Sequence, residues 1–125
     1  METDLSNSQL ETVGREMAQI HNISSIADLS NQRKVYNLEA TLIQPLDHIK
    51  PDFTEMAEEY SYLVDTSAQV IKAIESFNLS QFSFGYCHYD FLPKNFHFKD
   101  DSSISFFDFD FAGKGYLVND VASFY

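Results

Sequence analysis

Hydrophobic positions change their period near residue 80, and this divides the chain into a helical part and an extended part. Before that point, Leu10, Val13, Met17 and Ile20 follow an i, i+3, i+7, i+10 stripe, which predicts an amphipathic helix over 8–21. Ser8 and Glu11 have the spacing of a capping box for it. The polar stretch 22–35 reads as a loop. A second helix is expected over 36–49, stopping at Lys50-Pro51 because the residue before a proline is pushed away from helical dihedrals. Asp52 and Glu55 repeat the capping-box spacing and open a long helix to about Phe77. Met56, Tyr60, Leu63, Val70 and Ile74 form its apolar face, and Asn78 marks its end. Beyond it, Phe82–Cys87 alternates as a strand does. Phe96-His97-Phe98 and Ile104–Phe107 flank the turn Asp100–Ser103 and predict a β-hairpin. A last helix starts at Asp120.

Chemistry-bearing residues cluster around that hairpin. Residues 88–95 read His-Tyr-Asp-Phe-Leu-Pro-Lys-Asn, and Asp108 follows thirteen residues after Asn95. The hairpin is expected to bring Asn95 and Asp108 out on the same side. Phosphoryl transfer needs such a set: one carboxylate to orient a hydroxyl, and an amide plus a second carboxylate to hold Mg²⁺ against phosphates. Asn is a neutral oxygen ligand, useful where carboxylates and phosphates already crowd the ion. Asp108 stands between Phe107 and Phe109, and burying a carboxylate there without a partner is costly, so a cation is a natural partner. Asp110 shares the face of Asp108 if the strand continues. A competing set is His88, Asp90, Asp108 and Asp110 as ligands in a metal-dependent hydrolase. It leaves Asn95, Ala112-Gly113 and Asp120 unexplained.

The stretch from Gly85 to Tyr125 resembles the catalytic segment of the aminoglycoside phosphotransferase/choline kinase superfamily, relatives of the protein kinases. The likeness rests on His88-Tyr89-Asp90, Pro93 and Asn95, on Phe107-Asp108-Phe109-Asp110-Phe111-Ala112-Gly113, on Gly115-Tyr116 and on Asn119-Asp120-Val121-Ala122. Upstream, the stretch from Val13 to His21 resembles the family's first large-lobe helix, which often ends in Ala-x-x-His. The resemblance implies an α+β fold: a mostly helical, kinase-like large-lobe fragment whose short β-hairpin carries the catalytic and metal residues. It implies ATP and Mg²⁺ as cofactors. The reaction it implies is transfer of the γ-phosphate to a hydroxyl of a small molecule, such as an aminoglycoside, a choline-like alcohol, homoserine or a sugar. Asp90 is then the catalytic base or orienting group, and Asn95 and Asp108 hold Mg²⁺ and the nucleotide. His88 packs and holds the loop, and Asp120 hydrogen-bonds the loop backbone. Asp110 supports the metal ligands or faces substrate, or else lies at the surface. Leu92 occupies the position where protein kinases carry a lysine, which favours a small-molecule acceptor.

Other family parts are missing. The four glycines, Gly14, Gly85, Gly113 and Gly115, form no phosphate-cradling loop, and no strand carries a Val-Ala-x-Lys pattern. Residues 1–125 are therefore expected to be a single partial domain without the small lobe and the later helices. Such a piece is expected to turn over little by itself, because positioning and electrostatics carry most of phosphoryl transfer. The alternative is a non-enzymatic kinase-like fragment with a regulatory or binding role.

Composition narrows the partners. A hydrophobic content of 44% favours a folded chain over disorder. Eleven of the twelve phenylalanines follow residue 76, which predicts an aromatic layer. Left uncovered, that layer favours a homodimer or association with the missing kinase segments. A net charge of −11 argues against nucleic acid or an anionic membrane as partner and suits a cationic substrate. Cys87 is the single cysteine, so neither an intramolecular disulfide nor a zinc cluster is expected. The start Met1-Glu2-Thr3-Asp4 does not resemble a signal peptide, and no stretch has the length of a membrane span, so a cytoplasmic protein is expected. His21 and His97 read as satisfied or solvated, and His48 as a helix-surface residue.

Overall fold

A computed structural model describes residues 5–27 and 33–124 and shows a mixed α+β chain. It divides into two compact units. The first holds α1 (Asn7–Ser24) and the chain from Ser83 onward, and the second is Val35–Phe82. No helix among the described residues is long and apolar enough to cross a membrane.

α1 starts earlier than its stripe suggests. The Ser6 hydroxyl accepts from the Gln9 N–H at 3.2 Å, and Gln9 Oε1 accepts from the Ser6 N–H at 3.0 Å. The capping box is therefore Ser6 and Gln9, and Ser8 lies inside the first turn. The helix ends at Ser24, where the Ser25 N–H closes onto the His21 carbonyl at 3.0 Å. The start of the expected 22–35 loop is thus helical, and its residues 28–32 lie outside the described ones. Ser6→Ala is expected to cost about 1 kcal/mol, the usual worth of an N-cap, read as a lower urea midpoint. An unchanged midpoint would show that this cap is dispensable.

The buried face of α1 carries Val13 and Met17, which join Phe91 and Phe96 in the core, with Ile20, Phe106 and Phe124 packed against it. Leu10 departs from the stripe and stays 43% exposed. Burying each such side chain contributes roughly 1.5–3 kcal/mol. Phe106 meets Phe91 edge-on at 5.0 Å and Phe96 at 5.9 Å, the arrangement that aromatic quadrupoles favour. The Thr12 hydroxyl donates to the Asp101 carbonyl at 2.9 Å and ties α1 to the hairpin turn.

Four strands complete this unit: β1 (Phe84–Cys87), β2 (Phe96–Asp100), β3 (Ser103–Phe106) and β4 (Gly113–Tyr116). β1 pairs antiparallel with β4, placing Gly85 opposite Gly115. A Cβ on Gly85 would stand 3.2 Å from Leu117 Cδ2, so a side chain there would press on Leu117. β2 and β3 form the expected hairpin, with a register irregularity between Phe98 and Asp100. In its turn Asp100 Oδ1 accepts from the Ser102 hydroxyl at 2.8 Å and the Ser102 N–H at 3.0 Å, which holds its carboxyl below the usual range. Because the hairpin lies between β1 and β4 in sequence, segments 88–95 and 107–112 are the two connections between the sheets. Of the candidate site residues, His88, Asp90, Asn95, Asp108 and Asp110 sit on these connections. Asp120 lies in the first turn of α4 (Val118–Phe124), two residues inside its start.

The second unit departs more from expectation. The 36–49 helix opens as one wide π turn, Glu39–Ile43, before α2 (Gln44–Ile49). The Gln44 N–H reaches back five residues to the Glu39 carbonyl, and Pro45 has no N–H to restore the usual ladder. Pro51 does not end the run; the chain tightens into a 3₁₀ turn over Lys50–Phe53. α3 (Ala57–Glu75) begins later than the Asp52/Glu55 spacing suggests, with Met56 at its cap and no side-chain capping bond. Glu58 and Glu59 favour that start through the helix dipole instead. α3 ends at Glu75, short of Phe77 and Asn78. No residue of this unit is fully buried.

Candidate active site

The first connection is organised by His88, whose side chain is buried. Its Nε2 lies 3.0 Å from the Phe107 carbonyl and its Nδ1 accepts from the Asp90 N–H at 3.2 Å. A carbonyl can only accept and an N–H can only donate, so these partners select the Nε2–H tautomer. The ring also packs against Phe91 at 4.9 Å and Phe109 at 4.3 Å. One imidazole thus holds the backbone of Asp90 and grips the second connection.

Asn95 is buried and does the same from the other end of the loop. Its Nδ2 donates to the Asp90 carbonyl at 2.8 Å and to Asp90 Oδ2 at 2.6 Å. Its own carbonyl accepts from the Phe107 N–H at 3.0 Å. Both amide hydrogens are committed to Asp90, which leaves Oδ1 as the group able to ligate a cation. Asp90 has a side chain 16% exposed, and Lys94 Nζ lies 3.5 Å from its Oδ2. That pair is largely solvated on the lysine side and contributes little.

Asp120 lies beneath the loop with no exposure at all. Its Oδ2 accepts from the His88 N–H at 3.0 Å and its Oδ1 from the Tyr89 N–H at 2.8 Å. His21 Nε2 reaches the same Oδ2 at 2.7 Å. One carboxylate therefore joins α1, α4 and the loop.

Among the described residues, two non-glycine residues adopt left-handed dihedrals: Tyr89 with φ 67° and Asp108 with φ 63°. Each costs an L-residue roughly 1–2 kcal/mol, more readily met at Asp than at an aromatic. At Tyr89 the strain is held by the bond to Asp120 and by the Asn119 amide donating to the tyrosine hydroxyl at 3.3 Å. Strain of this kind gathers at functional loops.

Asp108 is exposed and makes no hydrogen bond or ion pair with any described residue. Phe107 and Phe109 beside it are 46% and 38% exposed. The expectation that two phenyl rings would desolvate this carboxylate does not hold, because the left-handed turn leaves it in solvent. β3 ends at Phe106, so Asp110 does not share a strand face with Asp108; it lies in an exposed turn. The hydrolase set also fails: no three of His88, Asp90, Asp108 and Asp110 bring ligand atoms within 4.8 Å of one another. The other expected ligands, Asn95 Oδ1 and the Asp108 carboxylate, are oxygen donors, the kind that a hard cation such as Mg²⁺ takes.

Residues 1–125 match the model of the phosphotransferase enzyme family. The chain belongs to this family. The chain is also 29% identical over 121 residues to the uncharacterized protein sll1119 of Synechocystis sp. (strain ATCC 27184 / PCC 6803 / Kazusa). The match covers 97% of the chain and 34% of that relative, so the chain spans about a third of its length.

His21, which the sequence reads as satisfied or solvated, is satisfied, by a partner 99 residues away that the Ala18-x-x-His21 spacing does not name. Another part of the site has no sequence signal at all. Tyr89 gives no signal of its left-handed backbone. Cys87 is buried, and burial, aided by the Asp120 charge, pushes its thiol up to about 12 from 9.0. The folded thiol holds its proton more tightly than the unfolded one. Its contribution to stability is therefore complete below about pH 9 and is lost as pH rises toward 12. Native Cys87 is expected to resist alkylation at neutral pH and to react at once in urea, as read by mass spectrometry. Fast labelling of the native chain would contradict that environment.

Proposed function

We propose that this chain carries the acceptor-orienting and cation-binding part of an ATP- and Mg²⁺-dependent phosphotransferase acting on a small-molecule hydroxyl. In this reading Asp90 accepts a hydrogen bond from the acceptor hydroxyl and draws its proton away during attack. Asn95 and Asp108 hold the cation. Bound Mg²⁺ would supply charge neutralisation at the β- and γ-phosphates. The observation that carries the reading is the fixing of Asp90 by His88 at its N–H and by Asn95 at its carbonyl and carboxylate. Such preorganisation is what phosphoryl transfer asks of a protein. Aminoglycosides, choline-like alcohols, homoserine and sugars all present a suitable hydroxyl, and the net charge of −11 suits cationic ones. Exposed rings at Phe107, Phe109 and Phe111 support coverage of that side by further polypeptide or a second copy.

Calorimetric titration of Mg²⁺ with a nonhydrolysable ATP analogue tests the reading. Saturable binding to the wild-type chain is expected, with Asp108→Asn abolishing it. Absence of binding in the wild type would favour the non-enzymatic remnant.

A further inference from the structure

A second group of ligand-type atoms lies behind the loop. A ring nitrogen of His21, Cys87 Sγ and a carboxylate oxygen of Asp120 all lie within 4.8 Å of one another, and His21 Nε2 is the nitrogen 2.7 Å from Asp120 Oδ2. Among the described residues no other three His, Cys, Asp or Glu side chains converge in this way. The atoms come from α1, β1 and α4, so three separate elements supply them. Their chemistry differs from that of Asn95 and Asp108. One nitrogen, one sulfur and one oxygen suit a borderline cation of the zinc type and leave one position of a tetrahedron open. A single cysteine excludes a multi-cysteine cluster but suffices for a mixed site.

We propose that His21, Cys87 and Asp120 form a binding site for Zn²⁺, separate from the oxygen pair at Asn95 and Asp108. Three features of a working metal site accompany the ligands. Asp120 is already oriented by the His88 and Tyr89 N–H groups, the kind of outer support that fixes ligating side chains. The Tyr116 carbonyl lies 3.3 Å from Cys87 Sγ and offers a further oxygen. A cavity of about 260 Å³, lined by Ile20, Arg33, Cys87, His88 and Phe109 among others, borders Cys87. On binding, the imidazole proton of His21 shifts from Nε2 to Nδ1, which frees Nε2 for the ion. The Cys87 thiol proton leaves to solvent. Because Asp120 also holds the backbone of His88 and Tyr89, occupancy acts on the segment that carries Asp90. The site is thus placed to regulate the loop, and its existence does not depend on the phosphotransfer reading.

Co²⁺ alone, titrated into the metal-free chain, reports the site directly. Binding of one ion is expected with a sulfur-to-cobalt charge-transfer band in the near ultraviolet and release of one proton per ion. Zn²⁺ displaces it; excess Mg²⁺ does not. Cys87→Ser and His21→Gln remove the band or its intensity and weaken binding by about 100-fold or more, since each removes a direct ligand. Asp108→Asn leaves the band unchanged, which separates this site from the proposed Mg²⁺ ligands. Binding without the band, wild-type affinity in Cys87→Ser, displacement by Mg²⁺, or no binding at submillimolar Co²⁺ would each overturn the proposal. If Cys87→Ser does not fold, by circular dichroism, the wild-type band and proton release decide the matter alone.

Discussion

Asp120→Ala is expected to destabilise the fold by about 3–5 kcal/mol, because it removes a buried carboxylate and leaves its hydrogen-bond partners behind. Asp120 is fully buried and serves three partners at once: the N–H groups of His88 and Tyr89, and His21 Nε2. Alanine leaves two buried N–H groups without an acceptor, each costing roughly 1–3 kcal/mol. It also frees Tyr89 to relax from its left-handed dihedral, which recovers part of the loss. Against a total stability of about 5–15 kcal/mol for a small domain, the remainder unfolds a large fraction of the chain. Asp120→Asn should cost less, because one oxygen still accepts, but its amide hydrogens face donors. Urea unfolding of both variants and of His21→Ala checks this. An Asp120→Ala midpoint equal to wild type would mean the loop is held by packing rather than by the carboxylate. A double-mutant cycle between His21 and Asp120 isolates their bond from the two backbone contacts.

How far the sequence reaches is visible in the same residues. The hairpin was legible because Phe96-His97-Phe98 alternates and Asp100–Ser103 supplies turn chemistry, both local signals. The placing of His88, Asp90, Asn95 and Asp108 on the segments beside the hairpin was legible because they are closely spaced in sequence. Helix starts were less so. Ser6 and Ser8 both have a Gln or Glu three residues on, and only the surrounding backbone decides which one caps. The π turn before α2 depends on Pro45 inside a run whose apolar spacing still reads as α. The His21–Asp120 bond was hidden by 99 residues of separation, with no local pattern linking its ends. Tyr89 and Asp108 carry no marker for positive φ, since glycine is the usual one and neither is glycine. What escaped notice is therefore long-range or conformational, while the chemistry itself was local.

Asp90→Asn should behave in the opposite way from Asp120→Ala. In whatever length of polypeptide sustains turnover, kcat is expected to fall by about 10²–10⁴-fold, the usual worth of a positioned general base. Stability should scarcely change. The contacts that fix Asp90 to His88 and one of those to Asn95 run through its backbone N–H and carbonyl, which the substitution keeps. Its carboxylate makes one short bond to the Asn95 amide, and the asparagine side-chain oxygen can accept that bond in its place. Affinity for the Mg²⁺–nucleotide should stay near wild type, because Asp90 is not a cation ligand in the proposed arrangement. Asp108→Asn supplies the contrast: binding is lost first and turnover follows. Two carboxylates less than twenty residues apart in one site then separate into a kcat defect and a binding defect. A third, Asp120, separates as a stability defect. If Asp90→Asn lost nucleotide affinity and turnover together, Asp90 would belong with the cation ligands. If it lost neither, the acceptor hydroxyl would have to be oriented by another group, and Asp90 would be no more than the anchor that Asn95 and Lys94 close upon.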